Sequence, residues 1–117
     1  MEKTHRELVD EAKSRIEEVG IDEVKAMADA TLVDLRADAD RDQGHLPGAL
    51  HVSRDVLEAG ADQVLPDKDA PVVLYCGGGG RSALAADALQ GMGYTNVRSM
   101  AGGFRAWKAA GLPTAKE

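Results

Sequence analysis

Val72-Val73-Leu74-Tyr75-Cys76-Gly77-Gly78-Gly79-Gly80-Arg81-Ser82 is the stretch on which the fold turns. Its first four residues are apolar and predict a short buried strand, and the four glycines after Cys76 predict a tight loop. From Ser82 onward, Leu84, Ala85, Ala88, Leu89 and Met92 recur at helical spacing. The order is strand, glycine loop, helix, with the only cysteine of the chain at the end of the strand.

That order has a chemical consequence. A loop of glycines can turn its amides inward, because no side chain blocks the approach and a positive φ costs little. The following helix aims its N-terminus at the same point, and the two together make an anion site. A cysteine there is held as thiolate by the local positive field. Arg81 adds a fixed charge and up to five donors, and four residues between cysteine and arginine close a small ring around one sulfur anion. The plainer alternative is an inert core cysteine beside a flexible loop. A nucleotide phosphate loop does not fit, since no Lys-Ser/Thr pair closes the glycines.

A chain of 117 residues with 44% hydrophobic content has room for one small core. Its aromatic residues are only Tyr75, Tyr94, Phe104 and Trp107, so that core is aliphatic and alanine-rich. One cysteine excludes an internal disulfide framework, and a lone thiol suits a reducing compartment. The start, Met1 to Glu7, has no apolar signal core, and no run reaches membrane length, so a cytoplasmic protein is expected. Residues 1–69 carry 9 basic and 18 acidic side chains, whereas residues 70–117 carry 5 basic and 2 acidic. The half that holds the glycine loop is therefore the positive half, which favours small anions near Cys76. With no basic cluster and no aromatic platform, nucleic acid is not an expected partner.

Elsewhere, Leu8, Ala12, Ile16 and Val19 form an apolar stripe that predicts a helix over 4–19, stopped by Gly20. It is expected to pack on the domain or to serve as a dimer contact. Ile21 opens a short strand in this reading, and Asp22 caps a helix through Ala28. Thr31 to Arg36 reads as a buried strand ending in charge, and Asp38, Asp40 and Asp42 as a solvated loop. Leu50-His51-Val52 suits a brief strand, and Ser53 caps a short helix from Arg54 through Ala59. Asn96 to Ser99 reads as the last strand, followed by a glycine turn and a short helix that includes Phe104, Trp107 and Lys108. Alternating strands and helices imply a parallel sheet covered on both faces, with the site at the carboxyl ends of the strands, where Cys76 falls. His45, His51 and Cys76 lack ligand-like spacing, so no metal is expected; either histidine is a conceivable base for Cys76, though a thiolate held by amides needs none.

Four motifs together resemble the single-domain rhodaneses, a family of sulfurtransferases: Leu32-Val33-Asp34-Leu35-Arg36, Gly44-His45-Leu46-Pro47-Gly48-Ala49, Tyr75-Cys76 through Arg81-Ser82, and Gly102-Gly103-Phe104-Arg105-Ala106-Trp107. The resemblance spans about residues 21–113, so 1–19 is set apart as an N-terminal helical extension and 20–117 as the rhodanese domain. It implies an α/β fold with a central parallel sheet of about five strands and helices on both faces. It implies Cys76 as sulfur carrier, with Gly77, Gly78, Gly79, Gly80, Arg81 and Ser82 binding the donor and the persulfide. Asp34, Arg36 and His45 are implied to be structural residues near the site.

The chemistry so implied takes a sulfane sulfur from a small anionic donor such as thiosulfate and passes it to cyanide or a thiol. No cofactor and no membrane are involved. An alternative is a relay or non-catalytic module that acts on a protein sulfur acceptor. A small phosphatase or arsenate reductase is disfavoured, because relatives of that kind have five residues between cysteine and arginine where this chain has four. In the family, the positions of Gly77 and Gly78 often carry side chains that contact the donor, and Asp40-Arg41 stand where Glu and an aromatic are usual.

Overall fold

The β4 strand, Val72–Tyr75, is buried at every residue and sits in the middle of the sheet. The computed structural model describes residues 2–116. In chain order the elements are α1 (His5–Lys13), β1 (Glu17–Val19), α2 (Ile21–Ala26), β2 (Thr31–Asp34), α3 (Asp38–Asp42), β3 (Leu50–His51), α4 (Arg54–Val64), β4, α5 (Gly80–Gly91), β5 (Val97–Met100) and α6 (Gly103–Ala109). The strands form one five-stranded parallel sheet in the order β1-β5-β4-β2-β3. The expected α/β architecture is the one observed.

The two-residue period of β4 sorts its side chains between two cores. Val72 and Leu74 pack with Leu57 and Ala61 of α4 and with Ala85, Ala86 and Leu89 of α5. Val73 and Tyr75 face the other way, onto Val24 of α2 and Trp107 of α6. Burial on both faces is why this strand reads as an unbroken apolar run rather than an alternating one. Because β4 lies between β5 and β2, the chain leaves it at the centre of the sheet's carboxyl edge.

Several elements differ from the sequence reading. The helix expected over 4–19, and with it the helical extension of 1–19, stops at Lys13. Glu17–Val19 instead form β1, which pairs with β5 along Glu17–Arg98, Glu18–Ser99 and Val19–Met100. Arg98 Nε donates to Glu17 Oε2 at 2.9 Å, and Ala101 N donates to Val19 O at 2.8 Å. An open sheet edge thus overrides a helical pattern that continues through Val19. Inside α1 the buried residues are Val9 and Ala12, which pack on Ala83, while Leu8 of the expected stripe is 43% exposed. Gly20 caps the start of α2 rather than ending a helix, and Glu23 Oε1 accepts from its amide at 3.1 Å. Ile21 is accordingly helical, Asp38–Asp42 form a short helix instead of a loop, and α4 runs on to Val64. The outer limits of the two segments, Met1 and Glu117, lie outside the described residues.

A buried charge cluster fixes the end of β2 beside β4. Asp34 is fully buried and accepts from Arg36 through its amide, Nε and Nη2 at 2.9, 3.0 and 2.8 Å. Tyr75 Oη donates to Asp34 Oδ2 at 2.8 Å and accepts from Leu46 N at 3.1 Å. Arg36 also donates to Gly44 O at 2.6 Å and lies 4.1 Å from the Phe104 ring centroid. One arginine therefore ties β2, the 44–46 turn and α6 together. Burial alone would raise the Asp34 carboxyl, but Arg36 and the Tyr75 hydroxyl outweigh it and hold the carboxyl below its usual range.

Asp34→Ala leaves the Arg36 charge buried without its counter-ion, and the expected loss is about 3 kcal/mol in urea unfolding. Because the folded-state pKa of Asp34 is depressed, its contribution is complete above the unfolded value of about 3.9. It is lost as pH falls through the lower, folded value. The native chain should therefore show a falling acid limb of stability in that window, and the Asp34→Ala variant should show a flatter one.

Candidate active site

Three elements meet at the sheet's carboxyl edge: the 76–79 loop after β4, the start of α5, and the start of α6. The first amides of α6 bind the loop's carbonyls, with Phe104 N donating to Cys76 O at 2.8 Å and Arg105 N to Gly77 O at 3.0 Å. Every peptide among the described residues is trans. In a trans unit the C=O and the next N–H point in opposite directions. Turning the Cys76 and Gly77 carbonyls toward α6 thus aims the Gly77 and Gly78 amides the other way, into the loop.

This docking sets the glycine requirement. A Cβ on Gly103 would stand 2.5 Å from Cys76 O and 2.7 Å from Gly77 O. Gly103 also has φ +58°, so a side chain there is excluded by both contact and backbone conformation. Gly79, at φ +98°, is the residue where the loop turns into α5. Gly80 opens α5 beneath Val9 of α1, whose Cγ2 would be 3.6 Å from a Cβ at that position.

Cys76 Sγ occupies the place of a helix cap. It accepts from Gly79 N at 3.2 Å and from Ser82 N, in the first turn of α5, at 3.4 Å. These are donors a helix start leaves without intrahelical partners, so the sulfur does what a Ser or Asp cap does elsewhere. Ser82 Oγ lies 3.6 Å from Sγ and 3.3 Å from Gly79 O. Ser99 Oγ, from β5, is 2.8 Å from Ser82 Oγ, and both serines are fully buried. When Ser99 donates to Ser82, the single Ser82 proton is shared between Gly79 O, to which it donates at 3.3 Å, and the sulfur.

The thiol is only 2% exposed, and that burial, the largest single influence, pushes it up. The Ser82 hydroxyl and the amides of Ser82, Gly79 and Gly78 act against burial and win, so the thiol lies below its ordinary value. Most of the groups that lower it are main-chain amides.

Arg81 sits differently from the sequence reading. It is exposed and lines a cavity of about 300 Å³ with Leu35, Ala37, Ser53, Arg54 and Asp55. Among the described residues its guanidinium makes no hydrogen bond to Sγ, so the ring around the sulfur is closed by amides rather than by Arg81. Arg54 shares that cavity while paired with Glu58 at 2.6 Å. Among the described residues neither His45 nor His51 makes a hydrogen bond to Cys76. His45 Nδ1 is 2.8 Å from Leu46 O, and its main chain bridges Ala115; His51 Nε2 is 2.7 Å from Arg36 O.

Two residues were not singled out from sequence. Ser99 reaches the site only because β5 lies beside β4. Arg105 is carried in by α6, and its Nη1 would be 3.0 Å from a Cβ on Gly78. The bare glycine pair was the available signal, since space without side chains has to be filled or open.

Ser82→Ala removes the hydroxyl beside the sulfur, and the midpoint of a pH profile of iodoacetamide alkylation should move upward relative to the native chain. Gly103→Ala should cost at least about 2 kcal/mol in urea unfolding, because its methyl group meets main-chain atoms that hold the loop.

The family described as Rhodanese-like domain matches residues 9–110. A sulfurtransferase of Allochromatium vinosum is 38% identical over 85 residues, covering 73% of this chain and 78% of its own. The thiosulfate sulfurtransferase GlpE of Coxiella burnetii is 35% identical over 81 residues, covering 69% and 74%. A solved structure from Rhodopseudomonas palustris, a protein of unknown function described as a possible tyrosine phosphatase, superposes with a TM-score of 0.91 at 33% identity over 98% of this chain and 96% of that one. With its central strand, cysteine loop and helix inside the matched residues, this chain belongs to the rhodanese-like sulfurtransferase family.

Proposed function

We propose that the protein carries sulfane sulfur on Cys76 as a persulfide, taking it from a small anionic donor such as thiosulfate. The observation that carries this reading is the position of Sγ at the start of α5, accepting from Gly79 N and Ser82 N. A sulfur anion bound there meets donors that need no reorganisation.

In the first step the Cys76 thiolate attacks the outer sulfur of thiosulfate. A new S–S bond forms at Sγ, the old S–S bond breaks, and sulfite leaves with the electron pair. The terminal persulfide sulfur then lies among the amides of residues 77–81. In the second step cyanide, or a thiol on a small molecule or a protein, attacks that terminal sulfur, and the electron pair returns to Sγ as thiolate. Two steps through a covalent intermediate give ping-pong kinetics. Arg81 binds the donor's anionic end from the cavity it shares with Arg54.

Loop length supports sulfur over phosphate, because only Gly77 to Gly80 separate Cys76 from Arg81 and the amides of so short a loop close around a small anion. No helix among the described residues is long and apolar enough to cross a membrane. A single reduced thiol suits a reducing compartment such as the cytoplasm.

Intact mass after incubation with thiosulfate tests the reading. The native chain should gain one sulfur atom and lose it on addition of cyanide, and Cys76→Ser should gain none. No added sulfur with thiosulfate, polysulfide or mercaptopyruvate, while the thiol stays free, would refute it.

A further inference from the structure

Arg105 is held against the glycine loop from α6. Its main-chain amide is bound to Gly77 O, which fixes its Cα beside the loop. Its Nη1 would be 3.0 Å from a Cβ on Gly78, and its Nη2 would be 3.8 Å from one on Gly77. A Cβ at Gly77 would only touch the guanidinium, whereas one at Gly78 would crowd it and make it give slightly.

The charge is also uncommitted. Arg15, Arg36, Arg54 and Arg98 each pair with a carboxylate, at 2.7, 2.8, 2.6 and 2.9 Å. Among the described residues no carboxylate or carbonyl accepts from the Arg105 guanidinium. Lys108, one turn further along α6, is exposed and likewise without an ion pair among the described residues. Both line a cavity of about 460 Å³ with Arg36, Asp40, Gln43 and Phe104. That volume falls within the range of small-molecule sites, about 300–1,000 Å³. It has space for an organic body as well as a small inorganic anion, with Phe104 as an apolar wall.

We infer that Arg105 is a donor-binding residue: it holds the anionic end of the incoming sulfur donor at the rim of the loop, in the space that Gly77 and Gly78 leave open. The inference rests on the sulfurtransferase reading above and names the class of donor, an anionic sulfane compound whose charged end reaches α6 while its outer sulfur reaches Cys76. A thiolate repels such a donor, and a cation at the rim offsets that repulsion as the two approach. Arg81 lies in the first turn of α5 and Arg105 on α6, and each lines a cavity of its own.

Alkylation of Cys76 by iodoacetate, an anion, and by iodoacetamide, its neutral counterpart, isolates the charge effect. In Arg105→Ala the iodoacetate-to-iodoacetamide rate ratio should fall about five-fold, the scale of one partly exposed charge interaction. Arg105→Lys should recover most of it. Gly78→Ser, which crowds the guanidinium, should lower the ratio less than Arg105→Ala does and add little in the Arg105→Ala background. For thiosulfate, KM should rise in Arg105→Ala while kcat is nearly retained. An unchanged ratio with an unchanged KM would overturn the inference, as would a parallel fall of both alkylation rates. The ratio requires no sulfur transfer. A lowered ratio in a chain that no donor can sulfurate would refute the sulfurtransferase reading and leave the anion site standing. Normal sulfuration with an unchanged ratio would do the reverse.

Discussion

Two hydrogen bonds organise this site: the first amides of α6 hold the carbonyls of Cys76 and Gly77. A planar trans peptide cannot turn its carbonyl outward without turning its amide inward. The donor ring around the sulfur is therefore a consequence of where α6 docks, and α6 docks there because β5, which precedes it, is the neighbour of β4 in the sheet. The glycines follow from the same contact. Gly103 gives the helix its close approach to the loop carbonyls, and Gly79 gives the left-handed turn that starts α5.

Burial and hydrogen bonding oppose each other at Cys76. A dry sulfur anion is costly unless it has donors, and a dry amide is costly unless it has an acceptor. Placing the two together relieves both, which is why a thiol only 2% exposed still lies below its ordinary value. Ser82 extends the arrangement inward, with Ser99 behind it. The Asp34–Arg36–Tyr75 cluster supports it from the other side, keeping the end of β2 and the 44–46 turn in register with the strand that bears the cysteine.

The central strand, loop and helix were legible because each signal there is local and strong. β4 is apolar throughout, the loop is all glycine, and the helix that follows is rich in alanine and leucine. The edges were less legible. Glu17–Val19 continue a helical pattern, and only the unpaired side of β5 makes them a strand. Gly20 reads equally as the end of one helix or the start of the next, and the Glu23 carboxylate decides for the second. Within the site, the amides of Gly79 and Ser82 donate to Cys76 Sγ. Arg81 does not bond the sulfur, because spacing along a chain cannot tell which way a side chain on the first turn of a helix leaves the loop. Ser99 and Arg105 lie 17 and 23 residues beyond Ser82, and only the strand order brings them in.

The claim that inward amides stabilise a thiolate is tested most directly by titrating Cys76 itself, following the ultraviolet absorbance of the thiolate in the native chain. The expected midpoint lies below the ordinary cysteine value of about 8.5. A midpoint at or above that value, in a chain that remains folded across the titration, would contradict the account, since burial would then have prevailed over the amides.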